Sequence, residues 1–285
     1  MMATQWDAAR TRLSLSAPTA DDDKYSRGVV GMRTGSQDYP GAAVLGVEAA
    51  WRTGTGMVRY RGPARPTALV LARRPETVTS PGRVQAWVIG SGTDAASRTA
   101  LETTALRDIL AGELPVVTDA GALDLLASAT APVVATPHAR EFDRLRASLG
   151  LPPLARDADE DARADATRET AAALGGVVLL KGAATVVAAP TGDARIVRAG
   201  TPWLATAGTG DVLAGAIGAL IAGCAARGMT GPAALADAAA SAAWLHGRAA
   251  TIAAVRLGTA GGPITALDVA QALPAAVAEV LAGPR

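Results

Sequence analysis

Short apolar runs alternate along the chain with longer Ala-rich and charged segments. Runs such as VVLL and AWVIG contain no polar position, which is typical of strands covered on both faces of a sheet. The pattern predicts strands at 29–34, 57–60, 68–72, 84–89, 116–118, 133–136 and 177–180, and a hairpin that pairs 185–189 with 194–197. It predicts helices at 42–52, 95–111, 122–128, 157–174, 233–254 and 267–281, and another that begins at the sequence GTGD and ends near residue 227.

Strands that alternate with helices predict an α/β fold with a mostly parallel central sheet covered by helices on both faces. The segment PHAREFDRLRASLG predicts a further helix that opens at Pro137, as in helices with proline in the first turn. Residues 1–23 show no clear amphipathic period and predict a short leading helix or arm. Because no Pro/Ser-rich linker and no repeat divides the chain, residues 1–285 are predicted to form one domain.

Ligands of such folds gather at the carboxyl ends of the strands. The loops GSQDYPGA, GSG, TDAGAL, TPHARE and LLKGAAT all follow predicted strands. We therefore expect the functional site at this edge of the sheet.

Composition excludes several classes of function. Of 285 residues, 27 are basic and 26 acidic, so nothing indicates a nucleic-acid groove or a polybasic membrane anchor. The single cysteine, Cys224, excludes an internal disulfide, and two histidines, His138 and His246, disfavour a His-rich metal site. The N-terminus has no signal-peptide pattern, and the apolar stretches are interrupted by Gly, Asp or Arg, so we expect a cytoplasmic protein that does not enter a membrane.

Lysine occurs only at Lys24 and Lys181, asparagine is absent, and the single phenylalanine is Phe142. In a chain that otherwise uses Arg, a retained lysine indicates a place where a compact ammonium has a use that a planar guanidinium does not serve. Lys181 follows VVLL and leads into the small residues 182–185, where a backbone can approach a phosphate closely. A solvated lysine at a strand edge is the alternative.

The sequence GTGD, formed by Gly208, Thr209, Gly210 and Asp211, precedes a long apolar helix. Free N–H groups at a helix N-terminus attract phosphate oxygens. Leu213 stands where a Rossmann fingerprint has its third glycine, and no GK[ST] is present, so neither dinucleotide fingerprint nor P-loop applies. The local pattern leaves two roles open for Asp211, an N-cap of the helix or a general base.

His138 follows a predicted strand at a helix start, where a neutral imidazole could hydrogen-bond a ligand while Glu141 caps the helix. A purely structural turn histidine is the alternative. His246 lies on an Ala-rich helix, which favours a packing or surface role. Cys224 is expected to be an inert buried thiol.

Four segments occur in an order that resembles the ADP-dependent NAD(P)H-hydrate dehydratases of the ribokinase-like superfamily: KYSRGVVGMRTGSQDYPGAA, TPHAREFDRL, VLLKGAAT and LATAGTGDVLAGAIGALIAG. The resemblance covers residues 24–247 and implies a ribokinase-like fold. It also implies repair of damaged nicotinamide nucleotides. The S-form hydrate of NADH or NADPH would be phosphorylated on its ring hydroxyl by ADP (ATP in the eukaryotic relatives), phosphate would leave, and the ring double bond would re-form.

The resemblance also implies site residues. Asp211 would be the general base, and the hydrate would contact Ala42, Gly92, His138 and Asp211. The nucleotide would contact Lys181, Gly182, Ala183, Ala184, Thr185 and Gly210, and its phosphate would lie in an anion hole of Gly208, Thr209 and Gly210. Three positions depart from the family pattern: the loop at Gly92 reads GSGTD where GPGLG is frequent, Arg140 replaces a glycine, and Asp23 replaces a histidine.

The resemblance implies Mg²⁺ on the nucleotide phosphates, although the sequence has no acidic cluster to hold it. It further implies a homotetramer. Because many relatives carry a fused epimerase domain and residues 1–23 are too short for one, we expect cooperation with a separate NAD(P)H-hydrate epimerase. Two other functions stay open: a small-alcohol kinase, such as a thiamine-precursor kinase, and a nucleotide-binding regulator without turnover.

Overall fold

The computed structural model describes residues 3–283, which fold around one nine-stranded sheet. The strands are β1 (Thr4–Trp6), β2 (Val29–Arg33), β3 (Met57–Tyr60), β4 (Ala86–Ile89), β5 (Val116–Thr118), β6 (Val133–Ala135), β7 (Val177–Leu180), β8 (Thr185–Ala188) and β9 (Ala194–Val197). Their order across the sheet is β1-β9-β8-β7-β6-β5-β4-β2-β3. Strand β8 is antiparallel to β7 and β9, and the other neighbouring pairs are parallel. The predicted mostly parallel sheet and its hairpin are confirmed.

Helices pack on both faces of this sheet. They are α1 (Ala8–Ser14), α2 (Pro40–Thr53), α3 (Ala64–Arg73), α4 (Ala100–Leu110), α5 (Ala139–Ser148), α6 (Glu160–Leu174), α7 (Thr209–Ala226), α8 (Pro232–Val255) and α9 (Ala266–Ala282). Two 3₁₀ helices, Ala120–Ser128 and Pro202–Leu204, complete the described set. The helix predicted at 122–128 is therefore wound more tightly than an α-helix.

The alternation of side chains along β7 shows how the two faces are filled. Val177 and Leu179 belong to the larger core with α2, α7, α8 and α9, whereas Val178 and Leu180 belong to a second core with α4, α5 and α6. Both faces are covered, so the strand has no polar position. Lys181 is the next residue, and the same alternation directs it to the face that α7 covers.

The strand predicted at 68–72 is wrong, because this segment lies within helix α3. Pro66 and Val70 are buried, whereas Leu69 is 42% exposed and Leu71 is 36% exposed. Burial at a spacing of four residues is helical. A short apolar run does not distinguish a strand from part of a helix, and here contact with α2 decides.

The leading segment contains a strand in addition to the predicted helix. Strand β1 pairs in parallel with β9 and extends the sheet at its edge. Trp6 is 8% exposed, and its Nε1 donates a hydrogen bond to Ser241 Oγ on α8 at 3.2 Å. Helix α1 follows, with Asp7 as its N-cap. The leader is thus built into the sheet.

Helix α7 crosses the core and is the one described helix long and apolar enough to span a membrane by length and composition. Of this stretch 72% is buried within the protein, as expected for a core helix. It packs closely on α2, because a Cβ added at Gly215 would lie 2.2 Å from the carbonyl oxygen of Gly46. This contact holds the middle of α2 against the first half of α7.

Candidate active site

Asp119, at the end of β5, and Lys181, at the end of β7, form an ion pair whose carboxylate is buried. Lys181 Nζ donates to Asp119 Oδ1 at 2.8 Å, and Thr136 Oγ1 donates to the same oxygen at 2.7 Å. Ser91 Oγ donates to Asp119 Oδ2 at 2.9 Å. Asp119 is 3% exposed, so its carboxylate is held by protein groups.

The charges in this pair favour both ionised forms. Burial by itself would raise the pKa of Asp119, but the Lys181 charge and the hydrogen bonds hold that pKa below its ordinary value. Burial would likewise lower the pKa of Lys181, and the negative charges of Asp119, Glu141 and Asp211 raise it instead. Lys181 therefore carries a fixed positive charge into the site.

The N-terminus of α7 lies next to this ammonium group. Gly208 is the N-cap, with a left-handed φ of 87°, and helix α7 starts at Thr209. A Cβ added at Gly210 would lie 3.6 Å from Lys181 Nζ. The free N–H groups of this turn and the ammonium together form an anion-binding corner.

Asp211 is not the N-cap of α7, which removes one of the two roles that the sequence left open. It lies in the first turn, and the N-cap position has no side-chain hydrogen bond. Burial, and then the negative charge of Asp119, raise the pKa of Asp211 to about 7, while Lys181 acts in the opposite sense. A carboxyl with this pKa is available as a proton acceptor near neutral pH.

A cavity of about 450 Å³ opens beside the anion-binding corner. It lies between the β7–β8 turn, the start of α7 and helix α8, and its walls are mostly apolar. Six residues predicted to bind nucleotide or phosphate line it: Lys181, Gly182, Ala183, Thr185, Thr209 and Gly210. Ala184 does not line the cavity and packs instead against Ala164, Val186 and Ile196.

Ala42 and Gly92 lie against each other outside this cavity. A Cβ added at Gly92 would come within 2.4 Å of the Ala42 Cβ, and the φ of Gly92 is +67°. Gly92 follows Ser91, whose Oγ donates a hydrogen bond to Asp119. The contact between Gly92 and Ala42 therefore lies next to the ion pair. The two predicted substrate residues are brought together here.

His138 is the N-cap of α5, so the helix does not open at Pro137 as predicted. Its Nδ1 accepts from the Arg140 backbone N–H at 3.1 Å, and Glu141 Oε2 accepts from the His138 N–H at 2.8 Å. Pro137 therefore precedes the cap, and the His138 imidazole and the Glu141 carboxylate close the first turn as a capping box. Half of the His138 side chain remains exposed, and Glu141 lies 3.9 Å from Lys181 Nζ.

Sequence reasoning assigned no role to Asp119. The sequence did contain a signal for it. Asp119 directly follows a buried strand, so its carboxylate lies at the carboxyl edge of the sheet, where the scarce lysine, Lys181, also lies. His246 was expected to pack or to lie at the surface. It is 8% exposed and lines the cavity. Cys224 is buried, as expected.

The residues from 3 to 283 contain no group of three or more His, Cys, Asp or Glu side chains that could hold a metal ion. Mg²⁺ commonly keeps several waters and is bound through nucleotide phosphates with one or two carboxylates. The arrangement therefore fits an ion that arrives with a nucleotide rather than one held by a protein cage.

Comparisons with known proteins identify the family of this chain. The family model for NAD(P)H-hydrate dehydratase matches residues 30–274. A bifunctional NAD(P)H-hydrate repair enzyme Nnr of Mycobacterium tuberculosis is 49% identical over an alignment of 219 positions, which covers 72% of this chain and 43% of that protein. The ADP-dependent (S)-NAD(P)H-hydrate dehydratase of Neisseria meningitidis is 35% identical over 86% of this chain and 84% of its own length.

The fold matches as well. The ADP/ATP-dependent NAD(P)H-hydrate dehydratase of Bacillus subtilis, co-crystallised with ATP and Mg²⁺, superposes with a TM-score of 0.81 at 29% identity, covering 98% of this chain and 99% of that one. The chain spans about half the length of the bifunctional relatives it matches. The ribokinase-like fold is confirmed. The chain belongs to the NAD(P)H-hydrate dehydratase family.

Proposed function

We propose that the protein catalyses the ADP-dependent dehydration of the S-form hydrates of NADH and NADPH back to NADH and NADPH. The observation that carries this proposal is Asp211, with a pKa raised to about 7, one residue after Gly210 in an anion-binding corner. A proton acceptor beside a phosphate site is the requirement for phosphorylating a hydroxyl. Family membership narrows that hydroxyl to the one on the hydrated nicotinamide ring.

In the proposed reaction the ring hydroxyl gives its proton to Asp211 as its oxygen attacks the terminal phosphorus of ADP. AMP leaves, and the phosphorylated hydrate remains. The N–H groups at the start of α7 and the Lys181 ammonium stabilise charge on the moving phosphoryl group. Phosphate is then eliminated from the ring with loss of a neighbouring ring proton, and the double bond re-forms.

Asp119 positions Lys181 in this scheme. Its carboxylate is fixed by Ser91 and Thr136, so the ammonium is held at one place rather than on a mobile side chain. Its negative charge also raises the pKa of Asp211. One buried carboxylate thus supports both the cation that receives phosphate and the base that receives the proton.

From the same geometry we also propose which residues bind the nucleotide and the hydrate. The nucleotide would occupy the cavity, against Lys181, Gly182, Ala183, Thr185 and Gly210, with Ala184 behind that wall. Gly208 and Thr209 would complete the anion hole with Gly210. The hydrate would lie toward Ala42, Gly92 and His138. Mg²⁺ would neutralise charge on the nucleotide phosphates.

Three wider expectations remain proposals. A homotetramer and cooperation with an NAD(P)H-hydrate epimerase come from the family, whose bifunctional members are named as repair enzymes. A cytoplasmic location fits a substrate drawn from the reduced nicotinamide pool.

The deciding experiment mixes the protein with hydrated NADH, Mg²⁺ and either ADP or ATP and follows the absorbance band of reduced nicotinamide. We expect the band to return with ADP and with a matching release of AMP and phosphate. A stable phosphorylated product without the band would support the kinase alternative. Nucleotide binding without any product would support the regulator.

The matched variant is Asp211→Asn. We expect it to lose turnover by at least about a hundredfold, because removing a positioned base typically costs that much, while ADP still binds. Dehydration at the wild-type rate would show that Asp211 is not the base.

A further inference from the structure

The proposed reaction removes two protons from the hydrate, and Asp211 accounts for only one of them. The first proton leaves the ring hydroxyl as its oxygen attacks ADP, and Asp211 receives it. The second leaves the ring carbon next to the one that loses phosphate. Because Asp211 already holds the first proton, a second acceptor is needed for this step, and the requirement rests on the proposed function.

Two other groups near Lys181 are committed to contacts within the protein. Both oxygens of Asp119 accept hydrogen bonds, and its side chain is 4% exposed. His138 is half-exposed, but its Nδ1 accepts from the backbone N–H groups of Arg140 and Glu141 at 3.1 Å and 3.4 Å. A neutral imidazole whose Nδ1 is an acceptor carries its hydrogen on Nε2, so His138 has no free lone pair for a proton.

Glu141 is a further carboxylate beside these groups, and one of its oxygens is free. Oε2 accepts the backbone N–H of His138 at 2.8 Å and lies 3.9 Å from Lys181 Nζ. Oε1 accepts no hydrogen bond from the residues between 3 and 283, and its neighbour is His138 Nε2 at 3.5 Å. The Glu141 side chain is 11% exposed, so it is less enclosed by protein than Asp119.

Glu141 and Asp211 lie near the same ammonium group. A Cβ added at Gly210 would lie 3.6 Å from Lys181 Nζ, so the first turn of α7 starts beside that atom, and Asp211 is the next residue. The hydroxyl and the second proton leave neighbouring ring carbons, so the two acceptors must lie close to each other. Two carboxylates around one lysine meet this requirement.

We propose that Glu141 is the base of the elimination step. The ring C–H bond breaks as Glu141 Oε1 takes the proton, and the electron pair of that bond forms the ring double bond. The C–O bond breaks with its electron pair on the departing phosphate. Glu141 then gives the proton to the phosphate, which restores the carboxylate. Asp211 serves phosphorylation and Glu141 serves elimination, so each step has its own base.

Glu141→Gln tests this division of the two steps, because glutamine also closes a capping box and so preserves the first turn of α5. The variant is mixed with hydrated NADH, Mg²⁺ and ADP, and quenched samples are analysed for AMP and for phosphorylated hydrate. We expect AMP to form within a few-fold of the wild-type rate while phosphorylated hydrate accumulates. The absorbance band of reduced nicotinamide should return at least about a hundredfold more slowly. Asp211→Asn, in contrast, should form neither AMP nor phosphorylated hydrate.

Two further variants control this experiment. Glu279→Gln removes a carboxylate from an exposed ion pair with Arg248, and it should carry out both steps as the wild type does. His138→Asn keeps a good N-cap and the backbone N–H that Glu141 accepts. It should raise the KM for the hydrate without accumulation of phosphorylated hydrate.

The outcomes separate this proposal from the proposed function. Return of the band at the wild-type rate in Glu141→Gln would overturn the proposal and would indicate that the departing phosphate takes the proton itself. An equal slowing of AMP formation and of the band would also overturn it, because a purely structural role has that effect. Should Glu141→Gln not fold, accumulation of phosphorylated hydrate by His138→Asn would still contradict the assignment. If the wild type forms neither AMP nor the band, the proposed function itself is wrong.

Discussion

The substitution Asp211→Asn is expected to stabilise the protein while it removes activity. In the unfolded chain the carboxyl releases its proton near its ordinary pKa of 3.8, but in the folded protein it does so only near 7. Between these values the folded state binds more protons than the unfolded state, so the free energy of unfolding falls as pH rises. Above pH 7 the Asp211 carboxylate is ionised in the folded protein, and the whole difference in pKa then lowers the free energy of unfolding. A neutral amide of the same shape does not lower it in this way.

The size of this gain follows from the two pKa values. Each pKa unit corresponds to about 1.4 kcal/mol, so the difference between 3.8 and about 7 amounts to about 4 kcal/mol as an upper value. The Asp211 side chain is only partly buried, and water reduces the cost. We therefore expect Asn to raise the free energy of unfolding by about 2–4 kcal/mol near pH 8. The gain should shrink to about 1 kcal/mol near pH 5, where the native carboxyl is still protonated.

Urea unfolding followed by circular dichroism, at about pH 5 and about pH 8, measures both values. Asp165→Asn is the matched control, because the Asp165 side chain is 77% exposed on α6, and it should give a small difference that does not depend on pH. A variant that is no more stable than the wild type near pH 8, or a gain that is equal at both pH values, would refute the reasoning. Either result would mean that Asp211 is not held in an environment that disfavours its charge.

Two further predictions concern the ion pair and the substrate loop. Asp119→Asn removes a negative charge that raises the pKa of Asp211, and it also leaves Lys181 without its partner carboxylate. Both changes lower the pKa of Asp211, so the acidic limb of the rate profile should move to lower pH. Rates measured across the pH range check this, and an unmoved limb would contradict it. Gly92→Ala adds a Cβ 2.4 Å from Ala42 at a φ of +67° and should raise the KM for the hydrate several-fold more than that for ADP. Gly150→Ala, at a φ of +74° in open space, controls for backbone strain alone, and an equal effect on both KM values would contradict the assignment.

One buried carboxylate, Asp119, influences both other charged groups of the site, Lys181 and Asp211. Asp119 is placed between Ser91, next to the predicted substrate loop, and Lys181, on the proposed nucleotide cavity. Its charge raises the pKa of Lys181 against the effect of burial, and burial together with the Asp119 charge raises the pKa of Asp211 to about 7. A single buried carboxylate therefore couples the anion-binding corner to the proposed base.

The sequence by itself determined much of this molecule. Apolar runs without polar positions specified strands covered on both faces, and their alternation with helices specified the mostly parallel sheet. Because the carboxyl ends of parallel strands share one edge, the order of the loops also predicted which candidates would meet there. The scarcity of lysine singled out Lys181 before any contact was known.

Other features depended on the tertiary structure, because they arise from neighbours distant in the chain. The run at 68–72 has no local property that separates a strand from a helix, and packing against α2 made it helix α3. Strand β1 is too short to show a pattern and is defined by pairing with β9. The N-cap role left open for Asp211 was excluded only when Gly208 was found at that position. The raised pKa of Asp211 likewise comes from its burial in the fold and then from Asp119, which is distant in sequence. Local sequence specifies backbone elements, whereas a pKa and a cavity wall are set by whatever the fold brings near.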